Sequence, residues 1–228
     1  CAPDRMQYFA EGAMADLDGT DLMLLAGTGT PCAFFAYPGK PSVLVPDGCT
    51  VHPLSARRED TVDALARLAD ALGAPAEVPP AAARVVPDKP QGALTPATCA
   101  QSLARHMPDD AIISDDAVTA GLPHYLATLM YTVQALWTMA REKLPVVTVV
   151  FANRSYRILN IEMARTGAGN PGPAARAMLS LDAPVLDWVK LAEGQGVAAI
   201  RAETAEAFDE ALARAIAMNE PVVIEAVL

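Results

Sequence analysis

The sequence predicts an α/β protein on a mainly parallel sheet with helices on both faces. Three observations lead there. Short β-branched runs, VVTVVF at Val146 to Phe151 and VVIEAV at Val222 to Val227, read as strands covered on both sides. Amphipathic helical stretches alternate with those runs. The chain has 228 residues, of which 52% are apolar and 19% charged, so it can bury a substantial core.

The elements follow in order. Asp21 to Ala26 predicts a buried strand running into Gly27-Thr28-Gly29-Thr30-Pro31, a tight turn. A G-x-G after a strand can face a phosphate, but position 32 is Cys where a dinucleotide fingerprint needs glycine. Both readings, nucleotide binding and strand–turn packing, stay open here. Ala33 to Pro38 and Ser42 to Pro46 add extended segments around Gly39. Glu59 to Leu72 predicts a helix with Val62, Leu65, Leu68, Ala69 and Leu72 on its apolar face. Residues 1–73 thus read as one domain, and 74–93 as a Pro/Ala-rich linker.

Residues 94–228 form the second domain. Thr95-Pro96 is an N-cap followed by proline at the first helical position. Ala111 to Ser114 reads as a strand delivering Asp115, Asp116 and Thr119 into a loop. Met130, Val133, Leu136, Trp137, Ala140 and Leu144 form a helical stripe ended by Pro145, with Trp137 read as core. After the VVTVVF strand comes Ala152-Asn153-Arg154-Ser155-Tyr156, then a helix over Tyr156 to Arg165 and a Gly/Pro loop to Pro173. A helix over Val185 to Gln195, a strand at Val197 to Arg201, a helix from the Thr204 N-cap to Met218 and the closing strand complete the chain.

Ligands of open parallel sheets sit outside the carboxyl ends of strands, which directs attention to Asn153. Its side-chain oxygen suits a hard cation such as Mg²⁺, with the Ser155 carbonyl as a second ligand; an Asn closing a turn fits equally. Asp115 and Asp116 can orient a cofactor or move a proton, or form a solvated pair. His52, His106 and His124 have no metal-ligand spacing, and Cys1, Cys32, Cys49 and Cys99 read as free thiols of a reducing cytoplasm. The net charge of −10 argues against nucleic acid, and no apolar run is long enough for a membrane span. The start at Cys1 suggests that position 1 is not the natural one.

These residues carry a resemblance. The run MYTVQALWTMAREKLPVVTVVFANRSYRILNIEMARTGAGNPG, with LDWVKLAEGQGV and PVVIEAVL, resembles the cofactor-diphosphate domain of thiamine-diphosphate enzymes. Within them it is similar to the acetolactate synthase-like and benzoylformate decarboxylase-like group. LMLLAGTGTPCAFFAYPGKPSVLVPDGC resembles the second half of that family's central domain. The resemblance implies a parallel-sheet thiamine-diphosphate-binding domain preceded by part of an α/β central domain. It implies thiamine diphosphate and Mg²⁺ as cofactors, Asn153 and Ser155 as metal ligands, and Asp116, Thr119 and Ile158 near the cofactor. It further implies a small 2-oxo acid substrate, decarboxylation with carboligation as in acetolactate synthases or simple decarboxylation, and a homodimer or homotetramer. The family's opening Gly-Asp-Gly is absent: Leu129 joins Met130 where a segment of a few dozen residues is expected. The N-terminal pyrimidine-binding domain and its Glu are not in this sequence either. A non-catalytic truncated α/β module, or a nucleotide binder through Gly27 and Gly29, stay open as readings of other classes.

Overall fold

A computed structural model describes residues 6–34, 36–75, 85–114, 133–167 and 170–228. The chain divides into two compact units, residues 1–84 and 85–228. In the first, β1 (Leu22–Ala26) pairs in parallel with β2 (Thr50–Ser55). Helix α1 (Ala10–Leu17) precedes them, and its Ala10 and Ala13 pack with Tyr37 and Leu44 in a small core. Helix α2 (Thr61–Ala71) starts at Asp60, whose carboxylate accepts the Asp63 N–H at 3.0 Å. The expected face of α2 is not the buried one: Val62, Leu65 and Leu72 are exposed and Ala64 is buried. A two-stranded sheet is too narrow to cover a full apolar stripe, so α2 meets it through small residues.

Gly27 settles between its two readings here. Its φ is +66°, its N–H donates to the Ser55 carbonyl at 3.0 Å, and a Cβ on it would lie 2.6 Å from Thr61 Oγ1. Glycine is therefore needed for close strand–helix approach, and its amide is not free to meet a phosphate. Residues 33–38 and 42–46 form no regular strand; among the described residues they contribute one bridge, Cys32 to Val43.

The second unit is built on a parallel sheet of order β3-β5-β4: β3 (Val147–Ala152), β4 (Ala198–Ala202) and β5 (Val222–Val227). β5 is central, and Val222, Val223, Ile224 and Ala226 are fully buried. Helices α3 (Pro96–His106) and α8 (Ala205–Met218) cover one face, where Phe208, Leu212, Cys99, Val149 and Ile224 meet. Helices α4 (Ala135–Glu142) and α7 (Trp188–Gly194) cover the other through Leu136, Trp188, Val150 and Val223. Thr95 and Thr204 cap α3 and α8 as their sequence predicts.

Three expectations are corrected. Ala111–Ser114 is not a strand, and Ile112 is 96% exposed. Trp137 is not core: it is 51% exposed, with the Arg141 guanidinium 4.9 Å from its ring centre. Leu144 is likewise exposed, because α4 turns Leu136 to the sheet, with Val133, Met139 and Ala140 beside it. Residues 85–93 belong to the second unit. Arg105 donates to the Pro87 carbonyl at 2.9 Å, Lys89 pairs with Glu210 at 3.1 Å, and the Gly92 N–H donates to Glu206 at 2.6 Å.

Candidate functional site

The three strands among the described residues of the second unit are parallel, so their carboxyl ends share one edge. The loop after β3 leaves that edge at Asn153 and enters α5 (Arg157–Arg165). Its partner is the stretch after α6 (Pro173–Leu179). The Tyr156 N–H donates to the Leu179 carbonyl at 2.9 Å, and the Leu181 N–H donates to the Arg154 carbonyl at 2.8 Å. These two bonds flank the antiparallel bridge Ser155–Ser180. In such a pair the bridged residue's own N–H and C=O face away from its partner. The Ser155 N–H accordingly donates to Asn153 Oδ1 at 3.2 Å. The Ser155 carbonyl, on that same side, accepts no hydrogen bond from any described residue.

Asn153 Oδ1 and the Ser155 carbonyl thus lie on the side of the loop away from Ser180, in a turn that the asparagine closes with its own side chain. Both readings of Asn153, turn closure and ligand donor, hold together, since a carboxamide oxygen has a second lone pair. Ser155 Oγ accepts from Asn160 Nδ2 at 3.1 Å and donates to the Leu179 carbonyl at 3.4 Å, which ties the loop to α5 and α6. Both oxygens suit a hard cation, but both are uncharged. Among the described residues no three His, Cys, Asp or Glu side chains gather as a metal group.

Ile158 lies in the first turn of α5 and is half-buried. Asp115, Asp116 and Thr119, and the Leu129–Met130 join, lie outside the described residues. Sequence reasoning passed over Arg154 and Arg157. Arg154 sits between the two oxygen donors with φ +52°, and both arginines are exposed. The signal available for them was charge inside an otherwise neutral loop.

An α/β domain with a polar loop at the carboxyl edge of a parallel sheet is a ligand-binding architecture. Residues 127–226 match the family model described as thiamine pyrophosphate enzyme, C-terminal TPP binding domain. This part of the chain is thus similar to the C-terminal domain of thiamine-diphosphate-dependent enzymes. The chain is 41% identical, over 271 positions covering 100% of this chain and 52% of the relative, to a protein of Mycobacterium tuberculosis (strain ATCC 25618 / H37Rv) named for the acetolactate synthase large subunit, IlvX. Since 271 aligned positions meet 228 residues, at least 43 of them have no counterpart in this chain. It is also 36% identical over 101 residues, 42% of this chain and 17% of the relative, to benzoylformate decarboxylase of Pseudomonas aeruginosa strain PAO1.

Among solved structures, the fold is similar to the thiamine diphosphate-dependent 4-hydroxybenzoylformate decarboxylase of Rhodococcus jostii RHA1. The TM-score is 0.73 at 22% identity, over 97% of this chain and 51% of that one. Benzoylformate decarboxylase from Polynucleobacter necessarius gives a TM-score of 0.67 at 17% identity, over 95% of this chain and 51% of that one. The chain thus spans about half the length of the IlvX relative and of these structures. Among the described residues no helix is long and apolar enough to cross a membrane.

Proposed function

We propose that this chain is the diphosphate-binding part of an acetolactate synthase-like enzyme that decarboxylates a small 2-oxo acid and joins the remaining fragment to a second carbonyl compound. The observation that carries the reading is the Asn153–Ser155 turn at the carboxyl edge of the sheet, with Asn153 Oδ1 and the Ser155 carbonyl on its side away from Ser180. The match to an acetolactate synthase-named relative along the whole chain supports the ligation chemistry. Thiamine diphosphate supplies the electron sink for decarboxylation when bound. This chain's own part is to hold the diphosphate end. Asn153 Oδ1 and the Ser155 carbonyl would present oxygen ligands to a Mg²⁺ that arrives with the phosphates. Tyr156 N–H and Arg154 C=O are committed to the neighbouring strand, so the turn is already set before a ligand enters.

A homodimer or homotetramer in the cytoplasm, with Asp116, Thr119 and Ile158 near the cofactor, completes the reading. A second reading, plain decarboxylation of a 2-oxo acid, is favoured by the decarboxylase relatives of similar fold. The test is a thiamine diphosphate titration of the full chain with and without Mg²⁺, followed by product analysis with pyruvate and with benzoylformate. Saturable binding with acetolactate as product supports the first reading. Aldehyde and CO₂ alone support the second, and no saturable binding of thiamine diphosphate refutes both.

A further inference from the structure

We propose that Asn160 is a positioning residue for the turn that would hold Mg²⁺: its carboxamide ties the Ser155–Tyr156 peptide from both sides and so fixes where the Ser155 carbonyl is presented. The inference rests on the diphosphate-domain reading and adds to it a residue that acts through Ser155.

The Ser155–Tyr156 peptide is trans, so its C=O and N–H point in opposite directions. The Tyr156 N–H donates to the Leu179 carbonyl at 2.9 Å, which turns the Ser155 carbonyl away from the end of α6. Ser155 Oγ donates to the same Leu179 carbonyl at 3.4 Å. One acceptor thus holds both the serine and the peptide that follows it. The hydroxyl bond is long, however, and a serine hydroxyl turns to suit whatever partner it finds. The carbonyl keeps its direction only if the serine side chain is held as well.

Asn160 supplies that constraint. Its Nδ2 donates to Ser155 Oγ at 3.1 Å and to the Tyr156 carbonyl at 3.2 Å. A carboxamide nitrogen has two hydrogens, one for each of these acceptors. The two bonds bracket the Ser155–Tyr156 peptide, one on the side chain before it and one on the carbonyl after it. Engaging a lone pair of Oγ leaves the hydroxyl hydrogen to face Leu179. Asn160 lies in the opening turns of α5, and helix side chains lean toward the N-terminus, so it reaches back to the turn. Asparagine is a poor helix former, and α5 opens at Tyr156 with no side-chain cap. The carboxamide is the tie between helix start and turn that a cap would otherwise provide. A carbonyl ligand held before the ion arrives binds it more tightly, because no ordering is left to be done on binding.

The test compares the unaltered full chain with N160A, N160L, N160Q, S155A and the N160A/S155A double variant. Alanine and leucine suit a helix better than asparagine, so N160A and N160L remove the donor and keep α5. In the ligand-free chain both should speed hydrogen exchange of the Tyr156 amide by about tenfold and leave the β5 amides unchanged. In calorimetric titration of Mg²⁺ at fixed thiamine diphosphate, N160A, N160L and S155A should each raise the half-saturating Mg²⁺ concentration by about tenfold, while saturating Mg²⁺ restores the thiamine diphosphate Kd. N160Q, which keeps the donor, should recover part of the loss. The double variant should be no worse than the worse single one, because both substitutions break the same bond. An unchanged Tyr156 exchange rate or half-saturating Mg²⁺ concentration in N160A and N160L, or additive losses in the double variant, would overturn the proposal. If the unaltered chain binds no thiamine diphosphate at any Mg²⁺ concentration, the diphosphate reading itself falls and takes this inference with it.

Discussion

Trp137 and Phe208 set side-chain size against placement, and the two give opposite predictions. Tryptophan is the larger apolar side chain, and the helical stripe of α4 puts it in the core. Were that so, Trp137→Ala would cost about 3–5 kcal/mol, as buried aromatics do. Trp137 is 51% exposed, however, with the Arg141 guanidinium 4.9 Å from its ring centre. An exposed cation–π contact contributes about 0.5–1 kcal/mol, and half of the ring's apolar area is never removed from water. Phe208 is 0% exposed, packed among Cys99, Leu212, Val222 and Ile224. Phe208→Ala leaves a cavity that the flanking β5 strand, paired on both sides, cannot collapse to fill. That loss is about 3–5 kcal/mol, a large share of a domain's typical 5–15 kcal/mol. Urea unfolding followed by far-UV circular dichroism measures both variants. Phe208→Ala should move the second unit's midpoint far down at unchanged slope, with a melting temperature lower by roughly 6–20 °C; Trp137→Ala should move it little. A Trp137→Ala loss equal to or above that of Phe208→Ala would refute the placement of α4.

Three further outcomes are expected. Burial raises the Asp209 carboxyl pKa, but the neighbouring His106, Ser102 and Arg105 side chains outweigh it, and the group sits below the ordinary value. His106 Nε2 lies 3.0 Å and Arg105 Nε 3.5 Å from Asp209 Oδ1. A carboxyl depressed in the folded state contributes stability above the unfolded pKa near about 4, and that contribution is lost as pH falls through the folded value. D209N should therefore be less stable at pH 7 and show a flatter stability profile below about pH 4, by acid titration of the melting temperature. Burial pushes the Cys99 thiol up to about 12, so at pH 8 only about one part in 10⁴ is thiolate. Exposed Cys32 should react with iodoacetamide in the native chain, and Cys99 only after unfolding, as peptide mapping would report. Thr95→Ala removes the α3 capping box, in which the Thr98 N–H donates to Thr95 Oγ1 at 3.1 Å, and should cost about 1 kcal/mol in the same urea assay.

What the sequence made legible were elements with a strong local signature. The β3 and β5 runs are β-branched and flanked by helix stops, so their strands, and the carboxyl edge they define, fall where their residues say. Thr95 and Thr204 mark helix starts because a hydroxyl can take the third amide of the helix. Elements without such signatures were missed. Helix α1 follows Phe9, an N-cap without a capping side chain, α6 is seven residues in the wake of a Gly/Pro loop, and β2 carries Pro53. The failures at Val62, Leu65, Trp137 and Ile112 share one cause. Periodicity says which residues would be buried if a partner were there, and it does not say whether the partner is wide enough or present.

The same distinction governs the site. Asn153 was recognisable because its chemistry is local: an asparagine after a strand closes a turn, and the turn decides where its oxygen faces. The direction of the Ser155 carbonyl was not recognisable from position alone, because it follows from a bridge to Ser180, 25 residues away. Arg154 was hidden for a third reason. Its meaning lies in a positive φ that an arginine adopts at some cost, and nothing in composition or spacing announces a backbone conformation. The three residues of one turn thus became visible at three levels: side-chain chemistry, strand pairing and backbone angle.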